Sequence, residues 1–251
     1  MVNKEDFTDA FGQILLDHLA HQKSVYYVVE RDDGFINVDN SSGYFFNYED
    51  WPKEEQYIID QAISPTLDLG CGAGRHSLYL QNKGLDIIAM DLSYGALDVA
   101  RQRGVKKTLF GDIRKLPHFD LKFDLKFATF LLMGNNFALA GDPNTMKRVL
   151  IDLSEISTPN AKLIAHFRDP SPDDPNLDPV HHEYHIQNQG KGLPVGQTQI
   201  RILYRKFRTP WMKFYMPTID EFTEIIESSG LWRIETLIQK DQFIFTVLYR
   251  D

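Results

Sequence analysis

The apolar positions of residues 63–169 follow two alternating spacings. Short continuous apolar runs predict strands, namely a run ending at Asp68, then Leu85–Met90, Val105–Phe110 and Ala161–Phe167. Between these runs the apolar residues recur every three or four positions, as on one face of a helix. After Asp142-Pro143 they are Met146, Val149, Leu150, Leu153 and Ile156. Strands alternating with helices predict an open α/β sheet of mainly parallel strands.

A further set of elements is predicted near the end of the chain. Thr218 begins a helix that runs to Ser229, with Glu221 three residues on completing a capping box, and Gly230 ends it. Leu231–Ile238 and Gln242–Arg250 then predict a pair of strands that meet at Lys240-Asp241.

Two segments lie outside this alternation. Residues 1–62 precede the sheet as a predicted cap, with a helix over residues 5–22 and another starting near Asp50-Trp51-Pro52. Residues 170–217 form an insertion that starts with a loop rich in proline and aspartate and continues with strand-like residues. In it, Gln199–Arg208 is expected to pair with Trp211–Met216 as a hairpin through Thr209-Pro210. It leaves the sheet at the carboxyl ends of the strands, where ligands bind, so we expect it to cover the substrate.

The most specific motif is a glycine turn between the first strand and the helix after it. Asp68 ends the strand, and Gly70, Gly72 and Gly74 follow at alternate positions. A dinucleotide fingerprint would place its third glycine at position 75, which is Arg75 in this chain. A glycine turn at this corner of an α/β sheet lets the backbone lie against a ligand.

This Asp-x-Gly-x-Gly-x-Gly pattern resembles motif I of the class I S-adenosylmethionine (SAM) dependent methyltransferases. The resemblance covers roughly residues 60–170 and 218–250, and Phe123–Met133 is similar to the family's fourth strand, approached through Phe123-Asp124. It implies a three-layer Rossmann-like fold with a seven-stranded sheet in the order 3-2-1-4-5-7-6, strand 7 being antiparallel. An N-terminal helical extension and a β-rich insertion after strand 5 are added to it. Residues 63–251 would form the SAM-binding domain.

The resemblance also implies the residues that bind the cofactor. Asp91, after the second strand, would accept hydrogen bonds from the ribose hydroxyls, and Asp112, after the third, would bond the adenine amino group. The full cofactor set is Asp68, Gly70, Cys71, Gly72, Gly74, Asp91, Leu92, Asp112 and Ile113. The alternative is that the three acids only cap turns of a sheet that binds nothing.

Composition narrows the class of protein. The chain has 251 residues and a formal net charge of −8, which argues against general nucleic-acid binding, so we expect no DNA partner and disfavour an RNA partner. No apolar run of 18 residues or signal peptide is present, which predicts a cytoplasmic protein without a membrane partner. Cys71 has no second cysteine to pair with and is expected to be a packed thiol beside the cofactor.

Candidates for catalysis come from the strand ends and the insertion. His166, near the end of the fifth strand, and Tyr184 are the catalytic candidates, His166 being either a general base or a neutral core histidine. Substrate contacts are predicted for Asn135, Asn136, His182, His185, Arg201, Arg205 and Tyr215. The asparagines are equally consistent with a capped turn. The chain lacks the Asn-Pro-Pro-aromatic motif of enzymes that methylate exocyclic amines of bases or glutamine.

Histidines and basic residues of the insertion have competing interpretations. His182-Glu-Tyr-His185 is one residue short of a His-Glu-x-x-His zinc motif, so no metal is predicted. Arg201 and Arg205 would share one strand face and could receive an anionic acceptor, or they could pair with acids of the protein itself.

The sequence therefore predicts a SAM-dependent methyltransferase that produces S-adenosylhomocysteine and methylates an oxygen or nitrogen of a small molecule. One alternative is a SAM-binding module or partner subunit without activity. Another is an RNA or protein methyltransferase that uses the basic insertion.

Overall fold

The computed structural model describes residues 8–118, 126–170 and 179–251. Its α-helices are α1 (Ala10–His21), α2 (Lys53–Ile59), α3 (Arg75–Asn82), α4 (Tyr94–Gln102), α5 (Pro143–Glu155), α6 (Pro179–Gly190) and α7 (Ile219–Ser229). Its strands are β1 (Tyr26–Arg31), β2 (Ile36–Asn40), β3 (Thr66–Leu69), β4 (Ile87–Asp91), β5 (Thr108–Phe110), β6 (Phe127–Leu132), β7 (Ser157–Arg168), β8 (Gln197–Tyr204), β9 (Phe207–Arg208), β10 (Met212–Tyr215), β11 (Trp232–Lys240) and β12 (Phe243–Arg250). Three predicted parts lie outside the described residues: the start of the helix predicted over residues 5–22, the approach through Phe123-Asp124, and most of the loop rich in proline and aspartate.

The larger sheet confirms the predicted strand order. Its described strands run β5-β4-β3-β6-β7-β12-β11. Strands β3 to β7 pair in parallel, and β12 lies antiparallel between β7 and β11. Parallel pairing brings the carboxyl ends of β3, β4, β5, β6 and β7 to one edge.

Helices cover both faces of this sheet. On one face, α5 and α7 bury Leu150 and Phe222 against strand residues such as Phe130 and Leu163. On the other face, α2 and α3 bury Ile58 and Leu80 against Leu131 and Ile164, and α4 packs beside them. The two faces of β7 thus belong to different layers, and the three-layer arrangement is confirmed.

The predicted helix ends agree with the structure. Thr218 caps α7 and forms the capping box with Glu221, while Gly230 ends the helix in the left-handed region at φ 61°. Asp142 caps α5 through a hydrogen bond from the Thr145 amide. These ends could be predicted because capping depends on a few neighbouring side chains.

The N-terminal extension was predicted to be helical, but in the structure it also contributes two strands to a smaller antiparallel sheet. The extension contains the hairpin β1–β2 as well as α1 and α2, and β1 pairs with β8 of the insertion. The resulting sheet, called the cap sheet here, has the order β10-β8-β1-β2, with β9 paired to β8. Tyr27 and Ile202 on its inner face pack against Ile14 of α1. The extension and insertion, far apart in sequence, therefore pack together.

Two details of the insertion differ from the prediction. The strand expected over Gln199–Arg208 is broken at Arg205, which has a φ of 52°, and Phe207 turns back to pair with Tyr204. Strand β10 does pair with β8, with Met212 opposite Ile200. Helix α6 contains His182, Tyr184 and His185, a stretch for which no helix was predicted.

Candidate functional site

The glycine turn connects β3 to α3 at the carboxyl edge of the larger sheet. Gly70, Gly72 and Gly74 have φ angles of 81°, 54° and 77°, a region that other residues rarely adopt. The Gly70 and Cys71 amides both donate to the Met90 carbonyl of β4, which holds the turn against the neighbouring strand. Cys71 is buried beneath the turn, where it packs with residues of α4, and burial raises the pKa of its thiol.

Two buried acids lie on either side of this turn. Asp68 accepts a hydrogen bond from Ser77 Oγ at 2.6 Å. Asp91 accepts the Gly72 amide on Oδ2 and the Ser93 amide on Oδ1, each at 2.9 Å. Burial raises the pKa of each carboxyl to about 6. Each oxygen of an ionised carboxylate has two lone pairs, so Asp91 can hold the turn and still accept hydrogen bonds from a ligand.

The third predicted acid lies at the end of β5 with a partner of its own. Asp112 accepts from the Arg114 guanidinium, with Nη2 to Oδ2 at 2.6 Å, and from the Arg114 amide. Although burial opposes it, these bonds hold the pKa of Asp112 below its usual value. Ile113 is buried in the core, whereas Leu92 is 52% exposed at the same edge.

Residues of the N-terminal extension lie directly over the glycine turn. The ring of Tyr44 comes within 3.4 Å of the point where a Cβ on Gly72 would lie, and it packs edge-on against Phe11. Arg103 of α4 donates through Nη1 to the Ala73 carbonyl at 2.7 Å and lies over the Phe45 ring. The segment carrying Tyr44 and Phe45 is therefore attached to the turn and to α4.

A buried polar cluster adjoins the other side of the turn. Glu55 of α2 is 2% exposed, and its Oε1 lies 2.8 Å from Arg75 Nη2 and 2.7 Å from His76 Nε2. Although burial opposes ionisation, the hydrogen bond from His76 and the charge of Arg75 hold the pKa of Glu55 below its usual value. Because an ionised carboxylate only accepts hydrogen bonds, His76 must carry its proton on Nε2. The pKa of His76 falls to about 4 through burial and the Arg75 charge, so the ring is neutral at pH 7.

His166 lies at the end of β7 on the same face of the sheet as this cluster. Its ring stacks on Phe245 with 4.6 Å between centroids. Nδ1 is buried and has no hydrogen-bond partner among the described residues. Burial lowers the pKa of His166 to about 4, and the charges of Glu55 and Arg75 also act on it. A neutral imidazole with an unused ring nitrogen therefore lies at the carboxyl edge.

Comparisons with known proteins agree with this geometry. Residues 67–162 match the family model for a methyltransferase domain. Malonyl-[acyl-carrier protein] O-methyltransferase of Serratia marcescens is 40% identical over 67 residues, which cover 26% of each chain. Demethylmenaquinone methyltransferase of Renibacterium salmoninarum is 31% identical over 107 residues, 42% of each chain. A SAM-dependent methyltransferase of Bacteroides fragilis, solved with S-adenosylhomocysteine, superposes with a TM-score of 0.78 at 19% identity, over 97% of this chain and 95% of that chain.

Residues 67–162 are therefore similar to a methyltransferase domain, and the whole chain has the fold of a SAM-dependent methyltransferase. The matched segments span only about a quarter to two fifths of the length of these curated relatives. The comparisons thus give the fold and the similarity to methyltransferase domains, while the reaction and its acceptor belong to the proposal below.

The residues around the glycine turn are compatible with SAM. The cofactor carries a positive sulfonium and a positive amine, and the ionisable acids Asp68 and Asp91 lie beside the turn. The exposed side chain of Leu92 offers an apolar surface next to Asp91, as an adenosyl group needs. Glycines with positive φ bring the backbone itself to the site.

Two asparagines of the methyltransferase domain connect neighbouring strand ends. Asn135, after β6, donates its amide to the His166 carbonyl at 2.8 Å and accepts the Arg168 amide through its side chain. Asn136 Nδ2 donates to the carbonyls of Leu69 and Gly70 at 2.8 and 2.7 Å. These contacts position the turn and β7, in agreement with the capping alternative for the asparagines.

The predicted residues of the insertion lie in several places. His182 and His185 line a cavity of about 270 Å³ between α6 and the start of α7, with Thr218 and Asp220. Tyr184 donates to Asp32 at 2.8 Å and lies under the Arg31 guanidinium, beside the cap sheet.

Other predicted substrate residues of the insertion already have partners. Arg201 pairs with Glu30 at 2.6 Å and Arg205 with Asp17 at 2.7 Å. These acids belong to β1 and α1, so the arginines connect the insertion to the N-terminal extension. Tyr215 is fully buried and donates to Glu221 at 3.1 Å.

Two features are absent from the described ranges, a cluster of metal ligands and a membrane-spanning helix. No group of three or more His, Cys, Asp or Glu side chains in these ranges is arranged to hold a metal ion. Within them, too, no helix combines the length and apolar character needed to cross a membrane.

Sequence reasoning missed the residues that attach the extension to the site. Glu55 and Arg103 reach the turn from outside its motif, and Arg114 pairs with Asp112. The one available signal was Arg75, a charged side chain directly after a glycine turn, since a charge that becomes buried needs a partner.

Proposed function

We propose that this chain transfers a methyl group from SAM to an oxygen or nitrogen nucleophile of a small-molecule acceptor. The observation that carries the proposal is the convergence of Asp68, Asp91 and the three glycines on one corner of the sheet. The similarity of residues 67–162 to methyltransferase domains supports the same reaction class.

The proposed chemistry requires little covalent participation from the protein. Bound SAM would supply a methyl group already activated by its sulfonium. The residues of this chain would orient the cofactor through Asp91 and the glycine turn, and the segment around Tyr44 would exclude water from the turn.

His166 is the proposed base where the acceptor must lose a proton. Its neutral ring and unused Nδ1 support this role, because a base must have a free lone pair at working pH. The contacts of Tyr184 with Asp32 and Arg31 are those of a residue that supports the cap sheet, so we give it no proton-transfer role.

The acceptor class is proposed from the cap and from the relatives. The cap sheet and α6 form a cover of the chain's own elements near the end of β7, which suits a small acceptor. One of the named relatives is an O-methyltransferase of malonyl-[acyl-carrier protein], so a carboxyl oxygen is the first atom to test. The pairing of Arg201 and Arg205 with acids reduces support for an RNA acceptor.

Calorimetric titration tests cofactor binding directly. The protein is titrated with SAM and with S-adenosylhomocysteine, and the titration is repeated on Asp91→Ala. The control variant is Asp98→Ala, which removes an exposed acid of α4, the helix that follows Asp91. We expect micromolar binding that Asp91→Ala weakens by at least tenfold and Asp98→Ala leaves unchanged. Absence of binding to the folded wild-type protein would refute the proposal.

Transfer itself requires an assay with labelled methyl groups. Wild-type protein is incubated with methyl-labelled SAM and a panel of carboxylates, hydroxyl compounds, amines and malonyl thioesters. We expect label in one class, and His166→Gln should lower kcat for that acceptor while leaving the dissociation constant of S-adenosylhomocysteine unchanged. Tight cofactor binding without transfer to any acceptor would instead favour a SAM-binding module without activity.

A further inference from the structure

Arg75 is a largely buried cation at the glycine turn to which the proposed reaction gives no role. It is the first residue of α3, directly after Gly74, and its side chain is 15% exposed. Burying a guanidinium is costly unless a specific partner compensates for the lost hydration. Glu55 is that partner in the structure, and the ring of Trp51 lies under the guanidinium with 5.2 Å between Arg75 Cζ and the ring centroid.

The ion pair leaves part of the guanidinium unused. Contact with Glu55 is made through Nη2, and among the described residues no hydrogen bond occupies Nε or Nη1 of Arg75. A guanidinium has five N–H donors in a planar fork and often binds two carboxylates at once. Arg75 can therefore keep Glu55 and accept a second anion.

The charges around the turn indicate which part of a ligand Arg75 would meet. Asp68 is an acid that suits the positive sulfonium and amine of SAM, and Asp91 is the acid expected to meet its ribose hydroxyls. The carboxylate of the cofactor needs a cation instead. Arg103, the other arginine bonded at the turn, already donates to the Ala73 and Tyr44 carbonyls through one nitrogen and lies over Phe45. Arg75 begins α3 directly after Gly74, and its Nε and Nη1 are unused among the described residues, so it is placed to meet this carboxylate at the turn.

We propose that Arg75 binds the carboxylate of the methionine moiety of the cofactor and that Glu55 positions it for this contact. The inference rests on the proposed function and deepens it, because it assigns the anionic end of the ligand to one side chain. Glu55 belongs to α2 of the N-terminal extension, so the extension would complete the cofactor site through this ion pair.

Two ligands that differ only in the carboxylate test this assignment. Calorimetry compares S-adenosylhomocysteine with its decarboxylated analogue, which keeps the adenosyl group, the thioether and the amine. On wild-type protein, the full ligand should bind about ten- to a hundredfold more tightly, as expected for a charge-assisted hydrogen bond in a partly buried site. Arg75→Gln should remove most of this preference and leave the affinity for the analogue within about twofold.

Arg103→Gln is the matched control, since it removes an arginine that holds the same turn through backbone carbonyls. It should weaken both ligands by the same factor and keep the preference for the carboxylate. Glu55→Gln should reduce the preference without abolishing it, because Arg75 keeps its charge and loses its orientation. If Arg75→Gln does not fold, Arg75→Lys is measured in its place. Its preference for the ligand with the carboxylate should lie between that of the wild-type protein and no preference.

The experiment distinguishes failure of the proposed function from failure of the role proposed for Arg75. A folded wild-type protein that binds neither SAM nor S-adenosylhomocysteine would overturn the proposed function. A wild-type protein that binds S-adenosylhomocysteine no better than the decarboxylated analogue would overturn the role of Arg75 alone. Equal weakening of both ligands by Arg75→Gln or Arg75→Lys would also overturn it, because that pattern indicates only a structural part in the turn.

Discussion

Gly12 of α1 and Gly95 of α4 bring two helix backbones into direct contact. A Cβ on Gly95 would lie 2.6 Å from the Cα of Gly12, and neither residue has a positive φ. Asp9, just before α1, accepts the amides of Gly12 and Gly95 and the hydroxyl of Ser93. Since Ser93 follows the Asp91 segment, this crossing fixes the extension beside the proposed ribose site.

Gly95→Ala should therefore destabilise the protein although alanine favours helices. Helix propensity alone would stabilise the variant by up to about 1 kcal/mol. The overlap with the Gly12 backbone should instead cost about 1–3 kcal/mol, and displacement of α1 should weaken binding of S-adenosylhomocysteine. Urea unfolding and calorimetry measure both effects. Gly43→Ala is the control, because a Cβ there meets nothing within 4 Å, and a more stable Gly95→Ala protein would contradict the close crossing.

Cofactor affinity should depend on pH through the two buried acids. The pKa values of Asp68 and Asp91 are raised to about 6 by burial, so the free folded protein takes up protons as the pH falls through 6. The ribose hydroxyls and the sulfonium of the cofactor interact best with ionised acids. An acid that is protonated in the free protein must therefore release its proton when the cofactor binds. Affinity should fall below pH 6 by up to about tenfold per pH unit for each acid that must ionise.

Calorimetry between pH 5 and pH 8 measures this dependence. Asp91→Asn should reduce the slope below pH 6, while the exposed control Asp98→Asn should not change it. An affinity that stays constant over the whole range would show that neither acid needs to ionise when the cofactor binds.

The sequence allowed the larger sheet to be predicted because its signals are local. The glycine turn, the acids at strand ends and the capping box at Thr218 each involve residues a few positions apart. The strand order then came from resemblance to one family and agrees with the structure.

The cap sheet could not be predicted because its pairing joins segments about 170 residues apart. Nothing near Val28 indicates that its partner is Leu203, and the partners of Arg201 and Arg205 are acids of the N-terminal extension. Glu55 was also missed as the partner of Arg75, because the two residues belong to different helices, α2 and α3, and no local pattern connects them. Local sequence patterns therefore predicted the strands and the turn on the cofactor side of the site, but not how the elements that cover it pack together.

His166 should make the protein less stable in mild acid. Its folded-state pKa is lowered by burial to about 4, below the ordinary histidine value of 6.5. Between these values the unfolded chain binds a proton that the folded protein does not, so the free energy of unfolding falls as the pH drops from 6.5 towards 4. By pH 5 this loss should be on the order of 1–2 kcal/mol.

Urea unfolding of wild type and His166→Phe at pH 7 and pH 5 isolates this contribution. Phenylalanine keeps the stacking on Phe245 and removes the titrating group, so its loss of stability between the two pH values should be smaller. His21→Gln, which removes an exposed histidine, should behave as wild type. Equal losses in wild type and His166→Phe would show that His166 does not titrate differently in the folded state.

Arg201 and Arg205 should contribute to the cap and not to acceptor binding. Arg205 is 60% exposed in its pair with Asp17, so Arg205→Ala should cost between 0 and about 1 kcal/mol of stability. Arg201 is held by Glu30 and lies over the Trp211 ring at 4.5 Å, so Arg201→Ala should cost about 1 kcal/mol of stability.

Neither change should alter KM for the acceptor by more than about twofold, an effect on binding of less than about 0.5 kcal/mol. Glu30→Ala provides the matched control for Arg201, since it breaks the same ion pair and keeps the arginine over the Trp211 ring. The opposite result would be a tenfold increase in KM for Arg201→Ala with no increase for Glu30→Ala. It would mean that Arg201 contacts the acceptor and that the anion-binding interpretation of the insertion is correct.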